Sequence, residues 1–190
     1  IIRNAIIQMA FFGVYMKIYW TKQKSDSKTL AAAALKLYCG ASDTLCHNDR
    51  GRPYFKNTDI RISISHSGDI WLCALGRNET GIDIERITDR NHLKIAERFF
   101  TPEETGFVKS NGADGFFRLW VRKEAYVKYV GEGISYGLDS FSLSDGSRLS
   151  DEYGDAVFRE IDFGENFKCA VCTAKEEFSW EQIKTEEMRI

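Results

Sequence analysis

The chain has 190 residues, 26 basic against 28 acidic, and a net charge of -2. At 43% hydrophobic and 28% charged with two prolines, it is not disordered, collagenous or low-complexity. It carries no global basic field for bulk nucleic-acid binding, and its length suffices to bury roughly 70% of the unfolded surface without staples.

The chain opens on Ile1. Its longest uncharged run, Asn4 to Met16, has 13 residues, too few to cross a bilayer. Arg3 before an apolar run is only faintly leader-like, and no small-residue cleavage site follows. The first 20 residues read as one or two strands, and an intracellular, cytoplasmic protein is expected. Lys22 to Lys28 reads as a polar loop. Thr29 to Tyr38, with four successive alanines, reads as a helix stopping at Gly40. Asn48 to Pro53 is a turn cluster. Ile60, Ile62 and Ile64 alternate with Arg61, Ser63 and Ser65, the pattern of a half-buried strand. Ser67-Gly68-Asp69 turns the chain into Ile70 to Leu75, apolar on both faces, so residues 60–75 predict a β-hairpin with a central second strand.

A second unit begins near Thr80. Gly81 to Glu85 predicts a strand with one apolar and one acidic face. Leu93 to Phe100 predicts a helix. Thr101-Pro102-Glu103-Glu104 supplies an N-cap, a first-position proline and a capping-box glutamate. Asp114 to Val130 is the strongest helix, closed by Gly131. Leu138 to Ala174 reads as strand and turn, and the charged tail after Lys175 as peripheral. The fold class is α+β, with a seam near Arg77 to Thr80.

Five cysteines, Cys39, Cys46, Cys73, Cys169 and Cys172, do not make a secreted disulfide framework. Cys169 and Cys172 form a lone C-x-x-C within an apolar strand, where the spacing sends the thiols to opposite faces. Buried small hydrophobes explain them better than zinc or redox chemistry.

Candidate chemistry sits on the second unit. Asp83 and Glu85 share one strand face, as a solvated acidic edge or as ligands for Mg²⁺, which takes oxygen donors. On the long helix, Phe117, Trp120, Val121, Glu124 and Lys128 share a stripe, while Arg118, Arg122 and Tyr129 lie on another, solvated face. Glu124 and Lys128 therefore extend an apolar stripe, either as an i,i+4 pair at the core rim or as a third carboxylate and a phosphate-binding lysine. His66, in Ser65-His66-Ser67-Gly68, is a turn hydrogen-bonder or part of an anion site. Arg52 alone is a solvated charge. P-loop, dinucleotide, zincin and nucleophile-elbow motifs are absent.

Taken together and in order, these stretches resemble the 4′-phosphopantetheinyl transferases. Gly81-Ile82-Asp83-Ile84-Glu85, about 35 residues before Trp120-Val121-Arg122-Lys123-Glu124-Ala125-Tyr126-Val127-Lys128, resembles the family's two signature motifs. Ile64-Ser65-His66-Ser67 and Gly51-Arg52-Pro53 resemble motifs of its surfactin-type (Sfp-type) subgroup. Ile95 to Phe100 and Leu138 to Phe141 are similar stretches, and the likeness runs over residues 50–174. Val121 stands where the family usually has Ser, Thr or Cys.

The resemblance implies two similar α+β lobes related by pseudo-twofold symmetry, residues 1–78 and 79–176, with a peripheral tail at 177–190 and an active site at the seam. It implies transfer of the phosphopantetheine arm of coenzyme A to a serine of an apo acyl or peptidyl carrier protein, with Mg²⁺ and release of 3′,5′-ADP. Asp83, Glu85 and Glu124 would hold Mg²⁺. Glu124 would activate the serine, and Lys128 and Lys123 would steady the phosphates. His66, Ser65 and Arg52 would hold the nucleotide end. The family's longer basic and aromatic stretch before the first long helix is reduced to Lys22 to Thr29, with Lys28 and Thr29 standing where coenzyme-contacting residues lie. Arg118, Arg122 and Lys109 are expected to dock the carrier. A monomer is expected, with neither nucleic acid nor membrane as partner. The alternatives are a non-catalytic coenzyme A or carrier-binding module, and a carboxylate-metal phosphohydrolase.

Overall fold

The computed structural model describes residues 16–175 and 183–188. The expected strand content of residues 1–15 lies outside them, as does the tail at 176–182 and 189–190. Helix α1 (Ser27–Cys39) starts where the Asp26 carboxylate accepts from the N–H groups of Lys28 and Thr29, and ends at Gly40. It lays Leu30, Ala31, Ala34, Leu35 and Tyr38 on the first sheet.

That sheet has the order β10-β1-β5-β4, built from β1 (Met16–Thr21), β4 (Arg61–Ser67), β5 (Ile70–Gly76) and β10 (Ile183–Glu187). The β4–β5 hairpin turns at Gly68-Asp69, with Gly68 at φ 60°, a conformation that a side chain resists. Strand β5 is buried throughout. Its Trp71, Cys73 and Leu75 meet α1, while Ile70, Leu72 and Ala74 face the second sheet. Strand β10 runs parallel to β1, and Met188 is buried in the first core. The tail read as peripheral therefore returns to form an edge of the first sheet. Its charge reflects an exposed edge, and one parallel neighbour is enough to hold it. Between α1 and β4, β2 (Leu45–His47) and β3 (Pro53–Phe55) form a small separate ribbon.

The chain leaves β5 at Gly76 and enters β6 (Thr80–Arg86). The second sheet has the order β6-β9-β8-β7, with β7 (Glu152–Tyr153), β8 (Ala156–Glu160) and β9 (Phe167–Ala174). Its inner face, including Ile82, Ile84, Cys169 and Val171, packs on the first sheet. Its outer face, including Ala156, Phe158 and Cys172, packs under the helices. The two thiols of the C-x-x-C thus serve opposite cores, as the strand spacing required.

Helix α2 (His92–Phe99) precedes α3 (Pro102–Val130). The capping box at Thr101 and Glu104 forms as expected. The helix read as starting at Asp114 is continuous with this cap, broken only at Gly112 (φ 59°, ψ -144°), where a glycine accepts the kink. A short 3₁₀ turn (Gly133–Tyr136) follows. The layers run α1, first sheet, second sheet, then α2 and α3: a mixed α+β fold.

Candidate active site

Strand β6 presents alternate side chains to opposite layers. Ile82 and Ile84 enter the core between the sheets, so Asp83 and Glu85 turn toward α3. Gly81 makes this approach possible. A Cβ there would overlap the backbone carbonyl of Ala125 and crowd Tyr129 N, so the helix lies against the strand only because the side chain is missing. That contact brings Glu124 and Lys128 over the two acids.

Lys128 Nζ donates to Asp83 Oδ1 at 2.7 Å and to Ile82 O at 3.0 Å. Asp83 is 5% exposed, and its Oδ2 is buried with no hydrogen-bond partner. Burial chiefly, then the neighbouring Asp83 charge, pushes the Glu124 carboxyl up, with Glu85 adding to the shift and Lys128 opposing it. Glu85 is likewise pushed up, first by burial and then by Asp83. Glu85 and Glu124 therefore both feel the Asp83 charge between β6 and α3.

Among the described residues, no group of three or more His, Cys, Asp and Glu side chains stands in metal-ligating positions. The donor set nevertheless fits a hard divalent cation. It is all oxygen, it repels itself, and it contains a buried carboxylate oxygen without a donor, the type of atom that requires a partner.

The remaining predicted residues divide. Ser65 reaches the acids: its hydroxyl donates to Asp83 Oδ1 at 2.7 Å and accepts from Ile84 N at 3.3 Å. His66, the next residue on the strand, is exposed on the opposite face. Arg52 pairs with Glu79 and lies against Gly131 at the end of α3. It borders a cavity of about 290 Å³ also lined by Tyr54, Thr58 and Arg61. Lys28 and Thr29 are exposed in the first turn of α1, with the Thr29 hydroxyl bonded to Asp26.

Lys123 is turned away from the cluster. Its ammonium is fully buried and donates to both oxygens of Glu104 at 2.7 Å and to Phe141 O at 2.6 Å. The expected phosphate contact is corrected to a structural ion pair, because the residue before Glu124 on a helix points to a different side. Arg122 is corrected likewise. Its side chain is 5% exposed and held by Ser150 O, Asp151 and Glu160. Arg118 shares Glu160, while Lys109 is exposed, beside Glu97.

The sequence reading gives Gly81 and Ser63 no role of their own, Ser67 only a place in the anion turn, and Glu104 a capping role alone. The Ser-x-Ser-x-Ser alternation of β4 was a usable signal for the serines. For Glu104 and Gly81 the partners lie far along the chain, and nothing local names them.

A sequence model of the 4′-phosphopantetheinyl transferase superfamily matches residues 79–179, more than half of the chain. The chain belongs to this superfamily. It is 37% identical over 139 residues to a 4′-phosphopantetheinyl transferase of Bacillus subtilis, covering 67% of this chain and 62% of that protein. It is 36% identical over 130 residues to the transferase Sfp of Bacillus subtilis strain 168, covering 63% and 58%. It is 33% identical over 135 residues to the transferase gsp of Aneurinibacillus migulanus, covering 66% and 56%. These relatives support the Sfp-type subgroup. The chain matches less than two thirds of the length of each. The superfamily match begins at Glu79 and so takes in β6, α3 and the acidic cluster whole.

Proposed function

We propose that this chain transfers the 4′-phosphopantetheine arm of coenzyme A to a serine hydroxyl of an apo acyl or peptidyl carrier protein, releasing 3′,5′-ADP. The observation that carries the reading is the buried, partnerless Asp83 Oδ2 beside Lys128, with Glu85 and Glu124 near enough to feel the Asp83 charge. In this reading Asp83, Glu85 and Glu124 hold Mg²⁺, which when bound supplies positive charge against the pyrophosphate oxygens.

The serine oxygen attacks the phosphorus that carries the pantetheine arm and forms a new P–O bond. The bond from that phosphorus to the bridging oxygen breaks, and its electron pair leaves on 3′,5′-ADP. The serine proton passes to the Glu124 carboxylate, which the α3 backbone positions over the two strand acids as its acceptor. Lys128, 29% exposed at its side chain, steadies the phosphates. His66 and Arg52 hold the nucleotide end.

We also read the two sheets as two lobes related by a pseudo-twofold axis. In each, the strand next to the seam edge, β5 or β9, is the apolar one, and a long helix covers the outer face. The seam is built within one chain, which supports action as a monomer. No described helix is long and apolar enough to cross a membrane. The five free cysteines suit a reducing compartment such as the cytoplasm.

The test is incubation of the chain with Mg²⁺, coenzyme A and a panel of apo carrier proteins, read by intact mass. One carrier gaining the mass of a single phosphopantetheine arm supports the assignment. No gain on any carrier, where a full-length relative modifies them, overturns it.

A further inference from the structure

Strand β4 ends the first sheet and β6 ends the second, and the two edges meet through side chains. Ser63, Ser65 and Ser67 alternate along β4 and so share one face. Their hydroxyls accept from three successive outward N–H groups of β6: Ile82 N at 3.0 Å, Ile84 N at 3.3 Å and Arg86 N at 2.9 Å. The constant offset of 19 residues in these pairs means that the strands run parallel with a hydroxyl standing where a carbonyl would.

A backbone N–H only donates, so each hydroxyl must accept from it and keeps its own single proton for another acceptor. Ser65 gives that proton to Asp83 Oδ1 at 2.7 Å, and Ser67 gives it to Glu85 Oε2 at 3.0 Å. Both donors are fixed by the ladder before they reach the acids. Asp83 Oδ1 thus takes Ser65 and Lys128 together, while Oδ2 is left without a partner.

From this arrangement we infer that Ser65 and Ser67 are positioning residues. The serine ladder docks the first sheet on β6 and, through its spare protons, pins one oxygen each of Asp83 and Glu85 so that the carboxylates face the seam in a set orientation. Ser63 has the docking role, bonding Ile82 N. The inference rests on the reading of Asp83 and Glu85 as metal ligands, and it assigns Ser65 to the acids in place of the nucleotide.

Two measurements on the chain test it, both without carrier or coenzyme. Amide hydrogen exchange at Ile84 should accelerate in Ser65→Ala and at Arg86 in Ser67→Ala, while Ser65→Thr and Ser67→Thr, which keep the hydroxyl, retain protection. Binding of Mn²⁺ alone, followed by its electron paramagnetic resonance, should weaken roughly 10–100-fold in the alanine variants, as expected when an outer hydrogen-bond partner of a ligand is removed, and recover in the threonine variants. Unchanged exchange in the alanine variants overturns the ladder. Faster exchange with unchanged Mn²⁺ affinity, where Asp83→Asn does weaken Mn²⁺ binding, overturns the positioning role alone. If Asp83→Asn binds Mn²⁺ as the unaltered chain does, the metal reading fails, and the inference falls with it.

Discussion

Lys123 and Lys128 stand on the same helix, and each meets a buried carboxylate at 2.7 Å. Their surroundings differ. All three Nζ protons of Lys123 have acceptors: two Glu104 oxygens and Phe141 O. Glu104 in turn accepts from Leu143 N and Thr101 N. Both side chains are fully enclosed, and every charge is answered. Around Lys128 the count does not close. One ammonium faces Asp83; Glu85 and Glu124 both feel the Asp83 charge, with Arg90 a further cation near Glu85; and Asp83 Oδ2 has nothing. A closed set of partners fixes structure, whereas an open and acid-rich set leaves charge for a ligand. The family resemblance implies the same task for both lysines; the difference lies in what surrounds them.

The largest effect should come from the open cluster. Glu124→Gln keeps the shape and removes the base, so transfer should fall by roughly 10²–10⁴-fold with no loss in melting temperature. Assay of carrier modification beside a thermal melt checks this, and full activity would remove Glu124 from the chemistry.

The closed pair should behave in the opposite way. Lys123→Met leaves Glu104 as an uncompensated buried charge, at a cost of about 3–5 kcal/mol in stability. The double variant Lys123→Met/Glu104→Leu should recover part of this, and only part, because Leu143 N and Thr101 N lose their acceptor. Urea unfolding measures both. A Lys123→Met protein as stable as the original but inactive would return Lys123 to the phosphates and erase the contrast.

Much of this was legible in the chain because it depends on local rules. The Ile-Ser alternation gave β4, the apolar run gave β5, the Thr101-to-Glu104 box gave a helix start although the sequence places the long helix only from Asp114, and Gly81 to Glu85 gave a two-faced strand. Strand and helix periods gave two separate pairs, Asp83 with Glu85 and Glu124 with Lys128; the resemblance to the transferases joined them into one site. What local rules could not give was pairing over distance. Glu104 finds Lys123, Arg122 finds Glu160, and Ile183–Glu187 finds β1. Each depends on how the layers stack, which no spacing along the chain encodes. Arg122 looked solvated because a helical stripe predicts a direction, and the loop carrying Ser150 and Asp151 covers that direction.

Gly81→Ala probes the contact that separates the two lysine sites. The new methyl meets the Ala125 carbonyl, backbone that cannot swing away as a side chain would. The helix must lift from β6, at a stability cost of about 1–3 kcal/mol for overpacking. Because Glu124 and Lys128 ride on the lifted segment, transfer should fall by more than the loss of folded protein explains, while the Lys123–Glu104 pair persists. Activity normalised to folded fraction reads the first effect. Equal losses in both would mean that Gly81 is a packing position only.

The smallest effect is in pH dependence, because Lys128 offsets part of the repulsion. Glu85 and Glu124 are held above the ordinary glutamate value of 4.5. Below 4.5 both are protonated in folded and unfolded chains, and their contribution to stability is fully present. As pH rises past 4.5 the unfolded chain releases these protons while the folded chain retains them, so stability declines until the folded carboxyls ionise at their raised values. Glu85→Gln and Glu124→Gln carry no such proton. In metal-free urea titrations each variant should gain on the unaltered chain as pH rises through that window. Adding Mg²⁺ should narrow the gap from the other side, since a cation in the seam answers the ionised acids. A gap independent of pH would mean that the three carboxylates do not share a site, and the contrast with the closed Lys123 pair would lose its electrostatic basis.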